Sequence, residues 1–191
     1  MGFFDVLRGR SSAPKPNLDN LFAVPGAAIS LQSAMSATAT GVGSVCYRAA
    51  SGAAMADTQA DATAIIESDG VGKVERTVDG FGFTWSVVRG DPTDVSGLVT
   101  DLHALNTDLE TQGFAGSLLC SVVGFHSSDG QPFGLVYLYK QGTFYPFAQQ
   151  GTAKTRDALL ERQVRDAVAG DVPIEADTSR WLPLWDCPGL T

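Results

Sequence analysis

Two histidines, three cysteines and 21 carboxylates are the side chains of this 191-residue chain with the chemistry to move a proton, attack a carbonyl or hold a metal. His126 is followed by Ser127, Ser128 and Asp129. Those types supply a base, a nucleophile and an orienting carboxylate in acyl or phosphoryl transfer. The members of a working triad meet from separate segments. The run therefore reads first as a polar hairpin loop. Its enzymatic alternative is a small hydrolase or nucleotide-processing protein using His126 with Ser128 or Asp129. His103 falls beside the apolar stripe of a helix and reads as a boundary histidine with a local hydrogen bond. Cys46 and Cys120 stand in apolar, strand-like surroundings and read as core thiols. Cys187 lies in a proline-rich tail, where it is open to exposure. There is no Cys-x-x-Cys and no His-Glu-x-x-His, so no metal site is expected. Gly41-Val42-Gly43 and Gly80-Phe81-Gly82 lack the rest of a dinucleotide fingerprint, and no Walker-type lysine follows a glycine run, so no cofactor is expected either.

The carboxylates are the more informative set. Lys and Arg number 13 against the 21 acids, a net charge of −8. That sign excludes a duplex-binding protein, which needs clustered Lys and Arg to neutralise phosphates, and no nucleic-acid partner is expected. Asp94, Asp101 and Asp108 recur every seven residues and so share one face of a helix. They read as an exposed acidic stripe, either solvated or in contact with a basic partner.

The elements that must carry these residues follow from periodicity and breakers. Residues 1–16, MGFFDVLRGRSSAPKP, form an amphipathic arm and linker with side-chain charge +2 on a body of −10. Phe3, Phe4, Leu7 and Arg8 make it a candidate contact for a partner or an anionic membrane surface, although two phenylalanines offer only a few kcal/mol of burial, too little for stable attachment alone. Residues 17–191 read as one domain. Asn17 caps a short helix carrying Leu18, Leu21 and Phe22, ended by Pro25-Gly26; residues 27–36 fit a strand or a helix. A strand is expected over 42–48, with Val45 and Tyr47 on one face and Ser44 and Cys46 on the other, and a helix over 57–68. Asp79-Gly80 predicts a two-residue turn in a hairpin over 73–89, with Phe81, Phe83, Trp85 and Val87 on one face. The clearest helix spans 93–112, with Asp91 as its cap and Val95, Leu98, Val99, Leu102, Leu105 and Leu109 inward. An aromatic meander follows over 118–125, 133–140 and 143–147. A last helix covers 155–169, with Leu159, Leu160, Val164 and Val168 inward. Trp181, Leu182, Leu184 and Trp185 are expected to anchor the tail to the sheet, since two exposed Trp are costly. Helices mixed with antiparallel hairpins make the class α+β: a single antiparallel, or in part mixed, sheet with helices mainly on one face, similar in plan to secretion chaperones. The other face, if it keeps its aromatics, is a docking surface. No apolar run reaches the roughly 18 residues of a spanning helix.

Several stretches carry a family resemblance: MGFFDVLRGR at the start, LDNLFAVPGAAISLQ at 18–32, GVGSVCYR at 41–48, GFGFTWSVVR at 80–89, LVTDLHALNTDLETQGFAGSLLCSVV at 98–123, LVYLYKQGTFYPFA at 135–148 and LERQVRDAVAGDVPIEADTSRWLPLW at 160–185. The chain resembles the actinobacterial phage-shock-protein-A-associated protein PspAB family. The resemblance implies association with a phage-shock, membrane-stress response in which a coiled-coil PspA protein protects stressed membranes. It implies no catalytic residues. Three readings follow. The first is a non-catalytic cytoplasmic adaptor or chaperone-like protein, peripheral at the inner face of the membrane, whose partner is a PspA-type coiled coil. The second is the enzyme built on the His126 loop. The third is a homodimeric module whose aromatic sheet cups a small molecule.

Overall fold

The computed structural model describes residues 17–48, 73–111, 113 and 115–190. The helix expected over 57–68 and the N-terminal arm lie outside them. A 3-10 turn, Leu18–Ala23, runs directly into helix α1, Val24–Met35, which settles residues 27–36 as helix. Pro25 opens that helix instead of ending the one before it, because a first-turn N–H has no intrahelical partner to lose. Ser36 closes α1 in the left-handed conformation, its N–H bonded back to Gln32.

Strand β1, Thr38–Tyr47, leads across the undescribed segment to β2, Lys73–Val78, and β3, Thr84–Arg89. Helix α2, Val95–Thr111, then precedes the meander β4, Leu118–His126, β5, Pro132–Leu138, and β6, Thr143–Ala148. Helix α3, Ala158–Val168, comes last, before a tail with a short 3-10 turn at Thr178–Arg180. The strands form one sheet in the order β2-β3-β1-β4-β5-β6, every neighbouring pair antiparallel. This is an α+β fold.

Alternation along the strands divides the side chains between two layers. On one face Val45, Tyr47, Val123, Phe125, Phe133, Leu135, Tyr137 and Phe144 pack beneath all three helices. Asn106 of α2 reaches down to the Ser121 hydroxyl at 2.9 Å, tying helix to sheet inside this layer. On the other face Cys46, Trp85, Cys120, Val122, Val136, Tyr145 and Phe147 pack beneath the C-terminal tail, which lays Trp181, Leu184, Trp185, Cys187 and Leu190 over them. The expected open docking face is therefore covered, and the aromatic meander is sealed on both sides. The tail fills the sheet face expected to cup a small molecule.

The tail needs a slot, and two glycines make it. Gly124 and Gly134 face each other across β4 and β5. A Cβ on Gly134 would stand 3.0 Å from Leu190 and 2.8 Å from Val122; one on Gly124 would stand 3.0 Å from the Gly189 carbonyl. At the outer edge, residues 173–175 bond to Phe144 of β6 through its N–H and C=O, at 2.8 and 2.7 Å. Pro146 occupies this same edge strand, where a missing donor is tolerated.

Four further local expectations are corrected. The hairpin is turned by a longer connection, in which Asp79 Oδ1 accepts the N–H groups of Phe81 and Phe83 at 2.9 and 3.0 Å, so Phe81 swings out to 71% exposure and leaves the alternation. Helix α2 is capped by Asp94, which accepts from Gly97 N–H at 2.8 Å, while Asp91 caps the turn before it through Thr93. The inward stripe of α3 starts at Leu160, and Leu159 points outward. Cys187 is buried beneath the tail's own apolar residues, and Leu182 is the tail residue left exposed.

Candidate functional site

Helix α3 is placed by its own cap. Asp157 Oδ1 accepts the Leu160 N–H at 2.9 Å, and Asp157 Oδ2 receives the Gln131 side-chain amide from the β4–β5 loop at 3.3 Å. That loop is held rigid by Ser127, whose hydroxyl donates to Asp129 at 2.5 Å and accepts from Gln131 N–H at 3.0 Å. The Ser127 hydroxyl holds the Asp129 carboxyl below its ordinary range. Between this loop, the C-terminal end of α1 and the outer side of α3 lies an open cleft of about 760 Å³. Met35, Leu159 and Leu160 supply its apolar wall, and Asp129, Asp157 and Asp166 its acidic rim. Asp166 shares its charge with the neighbouring Arg165 at 2.6 Å. Leu159 is 65% exposed, an apolar side chain standing in the mouth of an acidic groove.

Behind the cleft a buried ion pair fixes α3 to the sheet and tail. Arg156 Nε donates to both oxygens of Glu161 at 2.8 and 3.0 Å. Its other nitrogens donate to the carbonyls of Trp181 and Pro146, and the guanidinium lies 5.6 Å from the Phe147 ring centroid. Glu161 also accepts the Ala148 N–H at 3.0 Å.

The residues singled out from the sequence are scattered. His103 sits on α2 with its ring nitrogens 3.2 Å from Asp19 and 3.3 Å from Thr107, its ring tilted against Phe22 at 4.6 Å between centroids. The bond to Thr107 is the local one expected of a boundary histidine, and the bond to Asp19 reaches to the start of the described chain. His126 is exposed at the end of β4, and the loop's hydrogen bonds join Ser127 to Asp129 and Gln131 without including it. Of the acidic stripe, Asp94 serves as a helix cap and Asp101 is 8% exposed, so the stripe is not an open surface. A seven-residue repeat drifts about 20° per step on a straight helix, and here it carries the row along the shoulder of the apolar face. Asp101 and Asp108 each have contacts of their own. Phe3, Phe4, Leu7 and Arg8 lie outside the described residues. The cleft has no local signal in the sequence: helical periodicity puts Leu159 inward, and the 127–131 run reads as a hairpin loop with nothing to say which helix it faces.

Among the described residues no group of three or more His, Cys, Asp or Glu is arranged to hold a metal ion, and no helix is long and apolar enough to cross a membrane. The family model described as PspA associated protein B matches residues 1–189. The chain belongs to that family. No curated protein and no solved structure matches it. In this member of the family, the cleft at α3 joins an exposed leucine to an acidic rim on the described surface.

Proposed function

We propose that the protein is a non-catalytic adaptor, chaperone-like in use, which holds an amphipathic helix of a PspA-type coiled coil in the cleft between α1, the β4–β5 loop and α3. Its setting in this reading is the cytoplasmic side of the membrane in the phage-shock response. The supporting observation is the pairing of exposed Leu159 with Asp129, Asp157 and Asp166 around one open groove. An amphipathic helix laid in a groove uses an apolar stripe for affinity and flanking charges for register. With a helix about 10 Å across, a volume of this size admits roughly two turns. The partner stripe would be flanked by Lys or Arg, since the rim and the whole chain are acidic. Membership of the PspA associated protein B family supports the choice of a PspA protein as the partner. The N-terminal arm, through Phe3, Phe4, Leu7 and Arg8, adds a second, weaker contact to the same partner or to the membrane beside it.

The test is capture of the cognate PspA protein by the full chain at low salt. Burying Leu159 is worth about 1.5–3 kcal/mol, so Leu159→Glu should weaken the complex at least tenfold. Asp129→Lys with Asp166→Lys should weaken it further, and deletion of residues 1–16 should weaken it less. Failure of the full chain to capture the partner, or a complex indifferent to all cleft substitutions, rejects the assignment. A hydrolytic activity of the wild-type chain that is lost in His126→Ala would favour the enzymatic reading instead.

A further inference from the structure

We infer that Cys46 and Cys120 form an oxidisable dithiol, a site that closes to an intramolecular disulfide when a peroxide reaches it beneath the C-terminal tail. The two residues face each other directly across β1 and β4. Facing residues of an antiparallel ladder hold their Cα atoms about 4.5–5.5 Å apart, inside the roughly 4.4–6.8 Å that a disulfide bridges. Both side chains lie on the tail-covered face, in one layer with Cys187. The thiols interact with each other, and that contact, together with burial, raises the Cys46 thiol far above its usual range. The register of β1 and β4 slips immediately beyond the pair, between Cys46 and Tyr47, a bulge that gives the ladder freedom to adjust the sulfur separation.

Access is what makes the pair a site and not merely packing. Its cover is a tail held without covalent bonds: the Tyr145 hydroxyl donates to the Leu182 carbonyl at 2.8 Å, and the Trp181 indole donates to the Glu175 carbonyl at 2.9 Å. A cavity of about 60 Å³ walled by Phe147, Leu184, Cys187 and Leu190 leaves the packing loose at the Cys187 end of the tail, without itself reaching Cys46 or Cys120. The chemistry balances with hydrogen peroxide as the oxidant. One cysteine, as thiolate, attacks a peroxide oxygen; the O–O bond breaks, the sulfur becomes a sulfenic acid and the leaving hydroxide takes up the thiol proton as water. The second sulfur then displaces the sulfenic oxygen as another water, and the S–S bond forms. Two thiols lose two electrons and two protons, and the peroxide is reduced to two waters. Because both sulfurs are buried beneath the tail in the closed form, the first step waits for the tail to lift.

The experiment exposes the native full chain to hydrogen peroxide and follows intact mass and a non-reducing peptide map. The expected product has lost two hydrogens and yields one linked peptide pair, Cys46 with Cys120. Cys187→Ser should still form it, and Gly124→Ala, which crowds the Gly189 carbonyl, should form it severalfold faster. Tryptophan fluorescence should fall on oxidation and recover with dithiothreitol, since Trp85, Trp181 and Trp185 share the layer with the sulfurs. A linked peptide containing Cys187, separate sulfinic products without a crosslink, or no mass change in either wild type or Gly124→Ala overturns the inference. The map on the wild-type chain decides the pairing even where a cysteine substitution impairs folding.

Discussion

Replacing Arg156 by alanine should be among the most damaging single changes outside the aromatic core. Its guanidinium meets both Glu161 oxygens and the carbonyls of Trp181 and Pro146, so one side chain joins α3, β6 and the tail. Glu161 is 7% exposed, and without Arg156 it keeps only the Ala148 N–H among these bonds. A buried ion pair broken from one side costs about 3–5 kcal/mol, most of it the charge left behind. Arg156 is itself 25% exposed, and water entering its place moves the expectation to the lower end, about 3 kcal/mol. For a domain of this size 1 kcal/mol moves the melting midpoint by about 2–4 °C, so Arg156→Ala should lower it by roughly 6–12 °C. Differential scanning calorimetry, with urea titration beside it, measures the loss. If the uncompensated charge is the cause, adding Glu161→Gln to Arg156→Ala should restore part of the stability, because a neutral amide is cheaper to bury. A fall below about 3 °C, or no recovery with glutamine, would refute the reasoning. It would place the cohesion of α3 and the tail in apolar packing alone.

Asp79→Ala should loosen the β2–β3 hairpin by about 1–3 kcal/mol, since it removes bonds to Phe81, Phe83 and the Trp85 indole, and a shift in Trp85 emission would report it. Acid should weaken the fold through the same residue and through Glu175. Burial opposes ionisation at both, yet the bonds from Trp85, Phe83 and Phe81 to Asp79, and from Asp177, Thr143 and Arg180 to Glu175, prevail and lower both carboxyls. A carboxyl lowered in the folded state adds stability above its unfolded value, about 4, and loses it as pH falls through the lower folded value. Stability measured by urea titration should therefore decline below about pH 4, and Glu175→Gln should flatten that decline; an unchanged slope would remove Glu175 from the account. Gly134→Val should unseat Leu190 and cost about 1–3 kcal/mol, with the tail cleaved faster by protease.

Much of this architecture was legible in the sequence because its signals are local. The stripe of Leu98, Leu102, Leu105 and Leu109 specifies a helix with one buried side, and the alternation of Val45 and Tyr47 against Ser44 and Cys46 specifies a strand with two buried sides. The glycines and polar runs at 126–131 and 141–142 mark the meander's turns, so its three strands fall where their periodicity puts them. The family was legible too, through stretches spread over nearly the whole length. An Asp or Pro with two local uses is ambiguous in the sequence. Pro25 can end one helix or begin the next, Asp91 and Asp94 can each cap, and the choice rests on which neighbour the chain packs against.

What the sequence by itself determined is the kinds of element, their order and the sides of each that avoid water, because those follow from backbone geometry within a few residues. Tertiary structure alone decided that the tail crosses the second face over Gly124 and Gly134, that Asp101 is covered, that Cys46 faces Cys120, and that Leu159 opens into an acidic cleft. Each of these joins residues far apart in the chain. Sequence periodicity says that a side chain seeks cover, and only the assembled layers say which surface provides it.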